Sequence, residues 1–133
     1  PVIMWAGSAT VISEVAYFWP DWGQIIHQFN ANDKQWSTLP VHPLTNFAIV
    51  GIDNYLTTVG GLVHGRPSNK LFTMISKKWI ERFPSMPTQR AAPAVICAPN
   101  TLIVAGGRDG RNISLSSIEI LNVVESRLVH NVL

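Results

Sequence analysis

Two glycine pairs, Gly60-Gly61 and Gly106-Gly107, stand 46 residues apart, and each closes the same kind of segment. Phe47-Ala48-Ile49-Val50, the turn Asp53-Asn54 and Tyr55-Leu56-Thr57-Thr58-Val59 lead into the first pair. Pro93-Ala94-Val95-Ile96, the turn Pro99-Asn100 and Thr101-Leu102-Ile103-Val104-Ala105 lead into the second. A degenerate copy lies upstream: Ala9-Thr10-Val11-Ile12, a Ser13-Glu14 turn, then Val15-Ala16-Tyr17, with Phe18-Trp19 where the other copies carry glycine. A fixed period in the forties means one supersecondary unit repeated along the chain, and such a unit cannot bury both of its faces alone.

The second half of each unit repeats as well. Trp36 and Trp79 are 43 residues apart, and each follows a short apolar run closed by polar turn residues. The runs are Ile25 to Phe29 and Leu71 to Ile75; a third, Ser117 to Val123, precedes Leu128, which falls near the expected Trp position. β-branched and aromatic residues fill the runs, and Gly, Pro, Asn and Asp fill the gaps. No stretch keeps an apolar period of 3.6, so the pattern predicts four short strands per unit and essentially no helix. An all-β fold of about three four-stranded antiparallel units follows. The chain of 133 residues makes one domain, with units over about 9–40, 41–84 and 85–133.

At these residues the sequence resembles the kelch repeat family. The apolar run into Gly60-Gly61 and Gly106-Gly107, the fourth-strand Trp and the stretch Phe83 to Arg90 carry the resemblance, from about Ala9 to about Leu128. It implies β-propeller blades, with Trp36 and Trp79 filling the space between neighbours. Three blades do not close a ring, and their end faces would be apolar. The expectation is therefore a partial propeller, or half of a dimeric one in which two copies make six blades.

The resemblance also implies that the B–C and D–A loops of the blades share one face, where kelch proteins bind partners. The B–C loops run over 20–23, 62–69 and 108–112, and the D–A loops include Val41-His42-Pro43 and Ser85 to Arg90. These loops hold Arg66, Arg90, Arg108, Arg111, His42 and His64, against the acids Asp21 and Asp109. Guanidinium groups offer paired donors to carboxylates, so the expected partner is a protein or an acidic peptide. The candidate binding residues are Trp22, as an aromatic platform, with His64, Arg66, Arg90, Arg108 and Arg111. The competing reading is that these arginines are solvated and that Asp109 neutralises Arg108 or Arg111 locally. Lys77, Lys78, Glu81 and Arg82 read as an exposed strand face.

Composition narrows the remaining classes. A net charge of +2 is too small for a dedicated nucleic-acid binder. No apolar run approaches the about 18 residues of a membrane helix, so no membrane partner is expected. The single Cys97 excludes an intrachain disulfide and a cysteine zinc site, and it sits in an apolar run as a small buried hydrophobe. The compartment reads as cytoplasmic. His27, His42, His64 and His130 form no ligand spacing, no G-x-S-x-G is present, and Gly60 to Arg66 lacks the Lys-Ser/Thr ending of a phosphate loop. No cofactor, metal or catalytic residue is expected. The sequence reads as a non-catalytic interaction module or scaffold. The alternatives are a self-assembling structural module and, behind it, a small-molecule binder or enzyme using a central channel.

Overall fold

A computed structural model describes residues 7–20, 23–83, 85–124 and 127–132. Among the described residues there are fourteen strands and no helix. The first sheet holds β1 (Ser8–Ile12), β2 (Val15–Trp19), β3 (His27–Asn30) and β4 (Gln35–Thr38), in that spatial order. The middle sheet begins with β5 (Ala48–Ile52) and β6 (Tyr55–Val59). A separate small hairpin follows, β7 (Leu62–Val63) with β8 (Arg66–Pro67). Then β9 (Leu71–Ile75) and β10 (Lys78–Glu81) complete the middle sheet, ordered β5-β6-β9-β10. The third sheet is β11 (Ala94–Ala98), β12 (Thr101–Ala105), β13 (Ile118–Val124) and β14 (Arg127–Val132). All pairings are antiparallel meanders, as the short turn signals require.

The three first strands β1, β5 and β11 lie side by side, so the sheets stack face to face along them. Strand alternation decides what each face carries. The middle sheet sends Val50, Ile52, Val59 and Leu71 toward the third sheet, where they meet Leu102, Val104, Leu121 and Val123. Its opposite face carries Ile49, Leu56, Phe72 and Met74, which meet Ile12, Tyr17 and Trp19 of the first sheet. Trp79 fills that second interface, as the repeat predicts, and its Nε1–H donates to the Pro40 carbonyl at 3.0 Å. Leu128, aligned with the Trp position, pairs with Val123 on β14.

The glycine pairs serve close backbone approach. A Cβ on Gly61 would stand 2.7 Å from the Thr45 carbonyl oxygen, and one on Gly107 2.7 Å from that of Ala91. Both glycines have positive φ, 118° and 90°. No other residue fits there without moving the chain. Thr45 bridges to Leu62 and Ala91 to Arg108, so the two repeats use the second glycine of each pair in the same way.

Candidate functional site

The turns and loops separate into two ends of the stack. Ser13, Asp53, Asn54 and Asn100, from the first turn of each unit, gather around one cavity of about 410 Å³ beside Cys97. At the other end Asn46, the β7–β8 hairpin, Ala91-Ala92 and the 108–112 loop enclose a cleft of about 470 Å³. A Cβ on Gly110 would lie 3.9 Å from the Pro67 ring, so the hairpin and the loop after β12 touch.

The cleft is built by local rules. The tip residues His64 and Gly65 have φ of 49° and 75°, which turn β7 back on β8 within two residues. Leu62 pairs with Pro67 and Val63 with Arg66. Across the cleft, the Asp109 carboxylate accepts the Arg111 N–H at 2.9 Å and the Ile113 N–H at 3.1 Å. These backbone donors, first Ile113 and then Arg111, hold the Asp109 carboxyl below the usual carboxylate range. Arg108 Nη1 donates to Asn112 Oδ1 at 3.1 Å. Asn46 and Ala92 occupy equivalent repeat positions on the cleft wall with φ of 54° and 51°.

Of the expected binding residues, His64, Arg66, Arg108 and Arg111 are exposed at this cleft and its hairpin. The local neutralisation of arginine by Asp109 is slight. Arg111 Nη2 is 3.7 Å from Asp109 Oδ2 with its side chain 82% exposed, and Arg108 is held by Asn112 instead. Trp22 and Asp21 lie outside the described residues.

Arg90 corrects the expectation. It is fully buried, not on the exposed loop surface. Its Nε donates to Glu119 Oε1 at 2.8 Å, Nη1 to the Gly106 and Ser117 carbonyls, and Nη2 to Ser117 Oγ at 2.7 Å. A guanidinium removed from water must find such partners, and the third sheet supplies them. Its own backbone reaches the cleft floor: Arg90 N–H donates to the Ser68 carbonyl, and Gly61 N–H donates to the Arg90 carbonyl. Arg90 therefore positions the cleft wall and offers nothing to a ligand.

His42 is likewise buried, although spacing put it among the loop cations. Its ring packs between Phe47, Phe72 and Trp79 with centroids at 4.3, 5.3 and 4.6 Å. Nδ1 accepts the Leu44 N–H at 2.9 Å, so Nε2 carries the proton and donates to Thr58 Oγ1 at 2.8 Å. Burial pushes its pKa down to about 3, and the ring is neutral.

The outer strand face is also only partly as expected. Arg82 is half-buried, with its guanidinium over the Tyr55 and Phe83 rings at 5.3 and 5.0 Å. Cys97 packs against the core as a small hydrophobe; burial, and then the Asp53 charge, push its thiol pKa up. Among the described residues no group of three His, Cys, Asp or Glu could hold a metal ion, and no helix is long and apolar enough to cross a membrane.

No family model and no curated protein matches the chain. Its fold is shared with a solved structure, that of YjhT: the TM-score is 0.75 over 94% of this chain at 11% sequence identity. The same match takes in 44% of that structure, so this chain spans less than half its length.

Proposed function

We propose that the chain is a run of three kelch-type β-propeller blades acting as a non-catalytic interaction module. Its partner is a protein or peptide bearing carboxylates, taken up at the cleft between the β7–β8 hairpin and the 108–112 loop. Three four-stranded meanders aligned along β1, β5 and β11 support the blade reading, as do the two equivalent glycine contacts. One observation carries the binding reading. Arg108 lines the cleft, Arg66 and Arg111 stand exposed on the hairpin and loop that border it, and the acid there, Asp109, is engaged by backbone N–H groups. Arg111 meets Asp109 only at 3.7 Å, and exposed arginine forks so loosely matched suit planar, two-oxygen acceptors.

The test is fluorescence anisotropy with a labelled Glu/Asp-rich peptide and the scrambled peptide in which Gln and Asn replace the acids. Exposed arginine–carboxylate pairs contribute about 0.2–1 kcal/mol each. Replacing Arg66, Arg108 and Arg111 together by Ala should therefore weaken binding by about threefold to about 150-fold. Equal affinity of the triple variant and the parent would refute the reading.

A further inference from the structure

The middle sheet shows what a sheet of this protein requires, for both of its faces are covered by apolar neighbours. Among the described residues, the two flanking sheets are each covered on one face only. In the first sheet, register puts Ala9, Phe18, His27 and Thr38 in one row on the far face, and Val11, Ala16, Phe29 and Trp36 in the next. Phe18 and Phe29 pack on Trp36 at 5.8 and 4.9 Å, yet Trp36 stays 45% exposed and Val11 67%. Trp36 is the repeat equivalent of Trp79, which in its own interface is packed against the first sheet and hydrogen-bonded to Pro40. In the third sheet the far face holds the row Ile96, Ile103, Ile120 and the row Ala94, Ala105, Ile118, with Ile96 63% exposed. No Asp, Glu, Lys or Arg occurs in these rows.

We infer that the far face of β1–β4 in one copy docks on the far face of β11–β13 in a second copy, and that two such contacts close a symmetric pair. The two faces differ in character, one aromatic and one built of isoleucine and alanine. Val11 on β1 and Ile96 on β11 then meet through first strands, as β1 meets β5 within the chain. Size favours the closed pair over a single contact. Four strands of about five residues present about 19 by 17 Å, about 300 Å² in projection, and the three strands β11–β13 about 240 Å². Two faces per copy reach about 550 Å², close to the roughly 600 Å² per partner at which standard interfaces begin, whereas one face falls well inside the weak class. The contact is head-to-tail, so closure by a two-fold axis is what keeps it from propagating. The inference does not depend on the loop reading above.

Light scattering behind size-exclusion chromatography over a wide concentration range tests it. Both substitutions used, Val11→Lys and Ile96→Glu, fall on side chains about two-thirds exposed, and circular dichroism checks that each variant is folded. The parent should run at twice its 14.7 kDa mass, and each variant alone at the single-chain mass. An equal mixture of the two should recover the doubled mass, because one contact is native and the other joins Lys to Glu. Strengthening at high salt in the parent and weakening in the mixture would support the same geometry. A parent that stays at the single-chain mass at every concentration would overturn the inference. So would a ladder of larger species, which denies closure, or a pair left intact by Ile96→Glu, which means like faces meet.

Discussion

Arg90 Nε and Glu119 Oε1 meet at 2.8 Å with both side chains wholly excluded from solvent, 29 residues apart in the chain. The pair ties the segment entering the third sheet to that sheet's third strand. Three more guanidinium hydrogens go to the Gly106 carbonyl, the Ser117 carbonyl and Ser117 Oγ. The Glu119 Oε2 atom has no partner among the described residues.

Removing one member of such a pair leaves a buried charge without its counterion. Arg90→Met and Glu119→Leu should each cost about 3–5 kcal/mol, read as a shift of the urea midpoint. The double variant should recover much of that loss. Arg90→Lys should fail to rescue, because one ammonium cannot replace the fork that reaches Glu119, Gly106 and Ser117 at once.

His42 makes stability fall in acid. Its pKa is about 3 in the folded chain against 6.5 in the unfolded one, so below pH 6.5 the unfolded state binds the extra proton. The stabilisation is fully present above pH 6.5 and declines by about 1.4 kcal/mol per pH unit as pH falls toward 3. At pH 5 the loss is about 2 kcal/mol. His42→Gln should flatten that part of the pH–stability curve while lowering stability at pH 7; an unchanged slope between pH 6 and 4 would contradict the assignment.

Gly107→Ala should destabilise by about 1–3 kcal/mol or more, since the new methyl meets a backbone oxygen at 2.7 Å and the φ of 90° is unfavourable for alanine. Gly65→Ala isolates the contact, because its φ of 75° strains alanine as well but a Cβ there meets nothing within 4 Å. Thermal melts of the two variants should differ, with Gly107→Ala the lower.

Asp109 governs order in the cleft loop. Asp109→Ala removes the acceptor of the Arg111 and Ile113 N–H groups, and should weaken acidic-peptide binding even though it deletes a negative charge. Simple electrostatics predicts the opposite sign, so anisotropy of this one variant separates loop order from net charge. The melting temperature should change little, the site being exposed.

Sequence periodicity located the strands because alternation and turn residues are local properties. The Ser13-Glu14, Asp53-Asn54 and Pro99-Asn100 turns all fall where the repeat puts them. Burial of Arg90 and His42 was not legible, since each depends on a partner more than a dozen residues away. One signal was present: Glu119 stands in strand phase with inward-facing Leu121 and Val123, and an acid in that phase calls for a buried cation. The β7–β8 hairpin was hidden inside a segment read as loop, though His64-Gly65 between Val63 and Arg66 suits a two-residue turn. Arg66, Arg108 and Arg111 were placed by loop position alone and are indeed exposed.

Because each sheet rests only on its neighbours, protection against amide hydrogen exchange should grade across the molecule. Within a single chain, amides of Leu56, Thr58, Val59 and Leu71 can open only by disrupting two interfaces, whereas those of the first sheet need only one. The slowest-exchanging core is therefore the middle of the chain, and a cut or a destabilising change at either flank should leave it the last part to lose its protons to solvent.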